Sequence, residues 1–180
     1  MRRTRSLVRL LLLIALLAVG ALALLRAPVA PPPVRDRPPL TGTVERIVVE
    51  KAARRLTVYQ KGQAVRSWRV ALGFAPEGDK VRQGDGRTPE GTFRINRRNG
   101  QSRFHLSLGL DYPQPDDVKR ARAGGYDPGG DIMIHGQPNS LAGKPPLRRD
   151  WTAGCIALSD AEIEELWRVT PVGTLVEIRR

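Results

Sequence analysis

The sequence holds a single cysteine, Cys155, and two histidines, His105 and His135. One cysteine cannot form an internal disulfide, and with two histidines it is too small a set for a Cys/His zinc site, so we expect no metal. Only 5% of the residues are aromatic and the basic residues are dispersed, which argues against nucleic acid as a partner. The free thiol is therefore either a buried, inert side chain or a reactive group.

Acidic residues are the minority among the charged ones, and 18 Asp and Glu against 30 Lys and Arg give a formal net charge of +12. Residues 1–30 contain five arginines and no acid, which leaves +7 for the remainder. This balance favours an anionic partner such as an envelope polymer, a membrane surface or nucleic acid. Charge alone does not choose among them, and a basic surface kept for solubility is an alternative.

The run Leu10–Leu25 lacks any polar side chain, four arginines precede it and Arg26 follows it. This pattern is typical of an export segment whose arginines stay on the cytoplasmic side. The run is shorter than the roughly 20 residues that span a bilayer, although a start at Ser6 reaches that length. Ala21–Ala23 offers a small-x-small cleavage site. We predict that residues 1–26 are a signal peptide or, by preference, a retained anchor in the inner membrane.

This prediction places the protein in the cell envelope, on the periplasmic or extracytoplasmic side of the plasma membrane. Residues 27–43 are rich in proline, so we expect an extended linker there. Beyond it, residues 44–180 show the alternation of apolar and polar residues that is typical of strands. The first three predicted strands have short links, which require antiparallel neighbours. The predicted strands are Val44–Glu50, Leu56–Tyr59, Ala64–Leu72, Gly91–Ile95, Phe104–Leu108, Asp131–Ile134 and Thr174–Ile178.

Two helices interrupt the predicted strands. The first, Asp116–Ala123, is short and stops at Gly124. The second begins at a capping box, Ser159 with Glu162, and ends before Pro171. The fold class predicted for residues 44–180 is therefore mainly β, an antiparallel domain with one or two short helices.

Cys155 follows Gly154 and directly precedes the capped helix. Attack on a carbonyl needs a thiolate, and a nearby imidazole is the usual means of obtaining one. His135 ends a predicted strand, where its ring can face a cleft, whereas His105 lies within one. We therefore favour His135 over His105 as the general base of a Cys–His acyl-transfer enzyme. The backbone N–H groups of Gly154 and Cys155 could bind the developing oxyanion.

These residues carry a family resemblance. Ile134–Gly136, followed by Thr152–Ile156, resembles the H-G…[S/T]-x-G-C signature of the YkuD-type L,D-transpeptidases. Gly84–Phe93 resembles that family's upstream G-D-x-x-T-P-E-G-x-[FY] segment, and Asp150–Leu158 is similar to the YafK-like branch in particular. The resemblance implies a YkuD-like β-sandwich with a catalytic cleft on one face.

The resemblance also implies a reaction. Cys155 would attack the carbonyl of the third residue of a peptidoglycan stem tetrapeptide and expel the terminal D-alanine, and the amine of a second stem would resolve the thioacyl-enzyme into a cross-link. His135 would move the proton, and Gly136 would orient His135 through its carbonyl. Thr152, Trp151 and Arg87 are expected to bind substrate. No cofactor is required.

Several alternatives stay open at this level. Trp151 could be a packing residue and Thr152 a turn residue, while Thr88–Gly91 is expected to be a structural turn and Asp150 to cap or to pair with Arg148 or Arg149. The acceptor could be a lipoprotein lysine, or water, in which case the enzyme is an amidase or peptidase. A non-catalytic wall-binding module with a buried Cys155 is the third hypothesis.

One position departs from the family pattern. The wider family usually has arginine two residues after the cysteine, where this sequence has Ala157. That arginine is expected to bind a substrate carboxylate or to brace the cleft. Arg148, Arg149 or Arg87 could substitute for it.

Overall fold

The computed structural model of the chain describes residues 38–180. The predicted export segment and most of the predicted linker lie outside the described residues. Within 38–180, no helix is long and apolar enough to cross a membrane. The strands are β1 (Arg46–Glu50), β2 (Arg55–Gln60), β3 (Gln63–Arg69), β4 (Gly91–Ser102), β5 (His105–Leu110), β6 (Met133–His135), β7 (Ile156–Ala157) and β8 (Leu175–Arg179). The helices are α1 (Pro115–Gly124) and α2 (Asp160–Val169), with a short 3-10 turn at Asn139–Leu141.

The eight strands form one sheet in the order β3-β2-β1-β8-β4-β5-β6-β7. The short links predicted antiparallel pairing of β1, β2 and β3, and this is confirmed. Two pairs, β1 with β8 and β6 with β7, are parallel. The expected mainly β fold with two short helices is therefore confirmed, with parallel pairing at two places that the sequence did not indicate.

The sheet curls until its two edges meet. The first half of β4 pairs with β8 and the second half pairs with β5, so this strand belongs to both ends of the sheet. The segment that follows β3 then reaches β7, where Ala71 and Ala157 exchange hydrogen bonds of 2.9 and 2.8 Å. Because the edges meet in this way, residues far apart in the sequence are brought together beside β7.

The core lies inside the curl. Successive side chains of a strand point to opposite faces of the sheet, and the core is built mainly from the apolar side chains on the inner face. Its fully buried members include Ile47, Leu56, Leu72, Ile95, Leu108, Ile134, Ile156, Ile163 and Leu166. Ile163 and Leu166 belong to α2, whose apolar stripe packs on β5. The helix therefore closes the core next to the strand that carries His105.

Both helices lie within one residue of their predicted bounds. Ser159 accepts a hydrogen bond from the Glu162 N–H, and the Glu162 carboxylate accepts the Ser159 N–H at 2.9 Å, so the capping box is confirmed. Helix α1 ends at Gly124 and is capped by Gly125, whose φ of 68° is readily adopted by glycine. β7 was not predicted, because a two-residue strand carries no periodic signal.

Candidate active site

A cleft of about 330 Å³ opens beside β5 and β6. Both Cys155 and His135 line it, whereas His105 does not. Its walls are formed by the β4–β5 hairpin, by β6 with the residue Asp131 shortly before it, and by the end of the loop that precedes β7. The lining residues are Asn99, Gln101, Ser102, Arg103, Phe104, Ser107, Asp131, Met133, His135 and Cys155.

Parallel pairing of β6 with β7 brings the thiol and the imidazole together. Ile134 lies opposite Ile156, and the Leu158 N–H donates to the His135 carbonyl at 2.9 Å. Cys155 directly precedes β7, so the parallel register places it level with Met133 at the start of β6, two residues before His135 on the same strand. Cys155 and His135 are twenty positions apart in the sequence, and the pairing of β6 with β7 brings them together.

The His135 ring is held in one tautomer. Its Nδ1 lies 2.7 Å from the Gly136 carbonyl oxygen. A carbonyl oxygen can only accept, so Nδ1 carries the hydrogen and Nε2 is the nitrogen with a free lone pair. Burial lowers the pKa of His135, only partly offset by the bond to Gly136. The ring is therefore a neutral imidazole at neutral pH, ready to accept a proton at Nε2.

Two aromatic rings fix the plane of the imidazole. Phe104 lies with its centroid 4.7 Å from that of His135, and Trp151 meets it edge-on at 5.7 Å. The Trp151 Nε1 atom is buried without a hydrogen-bond partner among the described residues. Trp151 thus contacts the candidate base directly, and its expected contact with substrate stays a prediction.

The Cys155 thiol is half-buried, and its Sγ lies 3.4 Å from the Asp131 carbonyl oxygen. Burial raises the pKa of Cys155, and the negative charge of Asp131 adds to that effect, while a hydrogen bond from the Met133 backbone opposes it. The resting pair is therefore a neutral thiol beside a neutral imidazole. Such a pair acts by general-base transfer of the thiol proton during attack.

Thr152 organises the turn that carries the thiol. Its hydroxyl donates to the Cys155 carbonyl at 2.7 Å and accepts the Gly154 N–H at 3.1 Å. The alternative role of Thr152 as a turn residue is thus visible in its contacts. The Gly154 N–H could bind an oxyanion only by sharing its hydrogen with Thr152, so Cys155 is the better placed of the two expected donors.

Glycine is required at position 154. Its φ of +137° is disfavoured for other residues, and an added Cβ would lie 2.7 Å from the Arg87 carbonyl oxygen. Gly73 packs against the same place, since a Cβ there would meet the Gly86 carbonyl. Backbones of three segments therefore meet beneath the nucleophile.

The segment Gly84–Phe93 contains the Gly86 and Arg87 carbonyls that pack against Gly73 and Gly154. Hydrogen bonds within and around the segment hold its backbone in place. The Asp85 carboxylate binds Lys80 Nζ at 2.8 Å and accepts three backbone N–H groups. Burial by itself would raise the pKa of Asp85, but these hydrogen bonds hold it well below its usual range. Thr88 is buried and its hydroxyl accepts the Gly73 N–H at 3.1 Å, which agrees with the structural turn expected there.

The expectations for Arg87 and for Asp150 have different outcomes. The Arg87 guanidinium donates to the Asp79 carbonyl at 3.3 Å and does not line the cleft. Asp150 pairs with Arg54 at 2.9 Å and accepts the Leu72 N–H, so the expected pairing with Arg148 or Arg149 is wrong. The sequence could not show this, because Arg54 and Asp150 are 96 positions apart.

The other sequence candidates do not line the cleft. His105 Nε2 lies 2.7 Å from a Glu164 carboxylate oxygen of α2. Ala157 is only 2% exposed, and both its N–H and its carbonyl bond Ala71, so the position is part of the sheet interior. Neither Arg148 nor Arg149 lines the cleft. Sequence reasoning missed Arg103 and Ser107, whose places in the cleft wall depend on how the β4–β5 hairpin folds.

Comparisons with known proteins agree with this architecture. A protein of Escherichia coli (strain K12) named "Putative L,D-transpeptidase YafK" is 29% identical over 143 residues, covering 76% of this chain and 51% of the relative. The crystal structure of the helical cell shape determining protein Pgp2 from Campylobacter jejuni matches with a TM-score of 0.60 and 26% identity, covering 77% of this chain and 48% of that one. Bd1075 of Bdellovibrio bacteriovorus shares the fold, with a TM-score of 0.55 and 23% identity over 77% of this chain and 48% of its own.

This chain spans about half the length of the curated relatives that it matches. The model of the YkuD family, described as the L,D-transpeptidase catalytic domain, matches residues 44–178, which contain the cleft, the thiol and the imidazole. The family that the two short motifs indicated is therefore confirmed, and the chain belongs to the YkuD family of L,D-transpeptidase catalytic domains.

Proposed function

We propose that this protein is a peptidoglycan L,D-transpeptidase of the cell envelope that works through a thioacyl-enzyme on Cys155. The observation that carries the proposal is the pairing of Cys155 and His135 in one cleft, with His135 Nδ1 bound to Gly136 and Nε2 left to accept a proton. A neutral thiol next to a neutral, oriented imidazole is the arrangement that acyl transfer by general-base catalysis needs.

In the first half-reaction, Cys155 Sγ attacks the carbonyl carbon of the third residue of a stem tetrapeptide while His135 Nε2 takes the thiol proton. The carbonyl π electrons move to oxygen, where the Cys155 N–H, together with that of Gly154, stabilises the charge. When the tetrahedral intermediate collapses, the C–N bond to D-alanine breaks and the imidazolium protonates the leaving amine. The products are a thioester on Cys155, free D-alanine and neutral His135.

In the second half-reaction, the amine of an acceptor stem attacks the thioester carbonyl. His135 accepts a proton from that amine and returns it to the departing thiolate of Cys155. The new amide is the cross-link. The rings of Phe104 and Trp151 keep the imidazole in place through both steps, since each ring contacts it directly.

The compartment belongs to the same proposal. Residues 1–26 act as an export segment, retained as an anchor in the inner membrane, and residues 27–43 act as a linker. Membership of the YkuD family of L,D-transpeptidase catalytic domains supports an envelope location. Fractionation of cells that express the tagged chain, followed by intact-mass measurement, tests this: a membrane-bound protein with residues 1–26 present supports the anchor, and a form cut near Ala23 supports a cleaved signal peptide.

The activity is tested with the full chain in detergent and purified disaccharide-tetrapeptide. The products are followed by mass spectrometry beside Cys155→Ala. A cross-linked dimer that disappears in C155A is the expected result. Tripeptide without dimer would show instead that water is the acceptor, and no change in the donor would contradict tetrapeptide as the substrate.

A further inference from the structure

The β4–β5 hairpin supplies a whole wall of the cleft. Its tip is the tight turn from Ser102 to His105, whose ends pair in register. Arg103 and Phe104 occupy the turn itself and both line the cleft with Cys155. Phe104 contacts the His135 ring, so its neighbour Arg103 lies at the rim beside the catalytic pair.

This turn is held firmly on both sides of Arg103. Asn139 donates its side-chain amide to the Ser102 carbonyl at 3.0 Å and its backbone N–H to the Arg103 carbonyl at 3.0 Å. The Asn139 side-chain oxygen accepts the His105 N–H at 2.8 Å. The Gly136 N–H donates to the Phe104 carbonyl at 3.0 Å, which ties the turn to the residue that orients His135. The backbone that carries Arg103 is therefore fixed relative to the base.

The charges in the cleft do not balance. Asp131, the acidic residue in the lining, pairs with Arg97 at 2.7 Å. Arg103 is exposed, and within residues 38–180 no carboxylate lies within ion-pair distance of its guanidinium. The cleft therefore keeps one cation with no internal partner. A guanidinium fork is suited to bind a carboxylate through two parallel hydrogen bonds.

We infer that Arg103 is the donor-specificity residue of this cleft and binds a carboxylate of the donor peptide. It takes no part in proton transfer. It positions the peptide so that the attacked carbonyl lies at Cys155 Sγ. The inference rests on the proposed function, which supplies the stem peptide as the donor. Two carboxylates could be the partner: the terminal carboxylate of the departing residue, or a side-chain carboxylate on the diamino acid that is attacked.

The test uses the full chain with Arg103→Gln, Arg103→Lys and Arg122→Gln. Arg122 is an exposed arginine of α1 outside the cleft and serves as the matched control. Three donors are compared: the tetrapeptide, its C-terminal amide, and the form whose side-chain carboxylate is amidated. Thioacyl formation is followed by intact-mass spectrometry to give KM and kcat, and donor affinity is measured separately by calorimetry in the C155A background.

For the unmodified donor, R103Q is expected to raise KM and the C155A-background Kd by about 10- to 100-fold, the worth of a charge-assisted hydrogen bond, with kcat little changed. R103K should lie between R103Q and wild type, and R122Q should match wild type. The ratio of KM in R103Q to KM in wild type, and the same ratio for Kd, should fall towards one for the amidated donor that lacks the partner carboxylate. Which amide shows this identifies the carboxylate.

Two results would overturn the assignment: R103Q with wild-type KM and Kd, or an R103Q effect of equal size on all three donors. Thermal unfolding checks that R103Q is folded, and if it is not, R103K decides, since a lysine that restores full affinity contradicts a bidentate site. Failure of the proposed function is distinguishable. In that case wild type itself forms no thioacyl adduct, whereas an adduct that forms equally in wild type and R103Q overturns only the role of Arg103.

Discussion

His135 donates its Nδ1–H to the carbonyl oxygen of Gly136, its own neighbour in the chain, at 2.7 Å. The bond fixes the tautomer through a backbone carbonyl in place of a carboxylate, and within residues 38–180 burial and this bond are the two influences on the pKa of the imidazole. Burial lowers the pKa of His135 below its ordinary value, and burial raises that of Cys155. The two shifts have opposite signs, and both favour the neutral pair.

The first prediction concerns the pH dependence of acylation. Protonated His135 cannot accept the thiol proton, so kcat/KM should fall on the acid side through a pKa lower than the ordinary ~6.5 of histidine. Above that acid limb, kcat/KM should stay constant through neutral pH, since burial raises the pKa of the Cys155 thiol above its ordinary value. The measurement is kcat/KM for thioacyl formation across the pH range. An acid limb at or above the ordinary histidine pKa would contradict the neutral pair.

The second prediction separates the two histidines. His135→Gln should reduce acylation by roughly 10²- to 10⁴-fold, the usual worth of a general base. His105→Gln is the matched control, because His105 bonds Glu164 on α2 and does not line the cleft. Its activity should stay within a few-fold of wild type. Equal losses in H135Q and H105Q, with both proteins folded by circular dichroism, would show that His105 takes part in the reaction.

The third prediction concerns Gly154. Alanine there must adopt a φ of +137° and place its Cβ 2.7 Å from the Arg87 carbonyl oxygen. Gly154→Ala should therefore lower the free energy of unfolding by about 1–3 kcal/mol and abolish thioacyl formation. Gly100→Ala, in the same sheet with no atom within 4 Å of an added Cβ, is the control and should change stability little. A fully active G154A would mean that the turn is free to rearrange.

The fourth prediction concerns the buried ion pair beneath the site. Asp85→Asn leaves Lys80, only 2% exposed, without its anionic partner and should cost about 3 kcal/mol at neutral pH. The folded state lowers the pKa of Asp85, so its stabilisation is full above the unfolded pKa of about 4 and is lost as the pH falls towards the folded value. The gap between D85N and wild type should therefore shrink in acid.

Urea unfolding across the acid range measures that gap. Asp116→Asn is the matched control, because Asp116 is exposed in the first turn of α1 and should cost only a few tenths of a kcal/mol. A gap that stays constant from neutral pH into acid would show that the carboxylate charge of Asp85 is not what stabilises the fold.

Much of the architecture could be predicted from local sequence patterns. The antiparallel pairing of β1 to β3 followed from short links between alternating segments, and the start of α2 followed from the Ser159–Glu162 capping box. Each of these signals acts over a few residues, which is why sequence reasoning could find it. The outer half of β4 was missed, because its exposed polar residues show no apolar alternation and it forms only by pairing with β5.

The residues alone establish which chemistry is available: one thiol, two imidazoles, a glycine before the cysteine, and the motifs that place the chain in its family. Their roles depend on how the chain folds. The tertiary structure placed His135 with Cys155 through the β6–β7 ladder and turned His105 to Glu164. It also paired Asp150 with Arg54 and brought Arg103 to the cleft rim. These outcomes depend on contacts between distant segments of a curled sheet, and no local pattern of residues encodes such contacts.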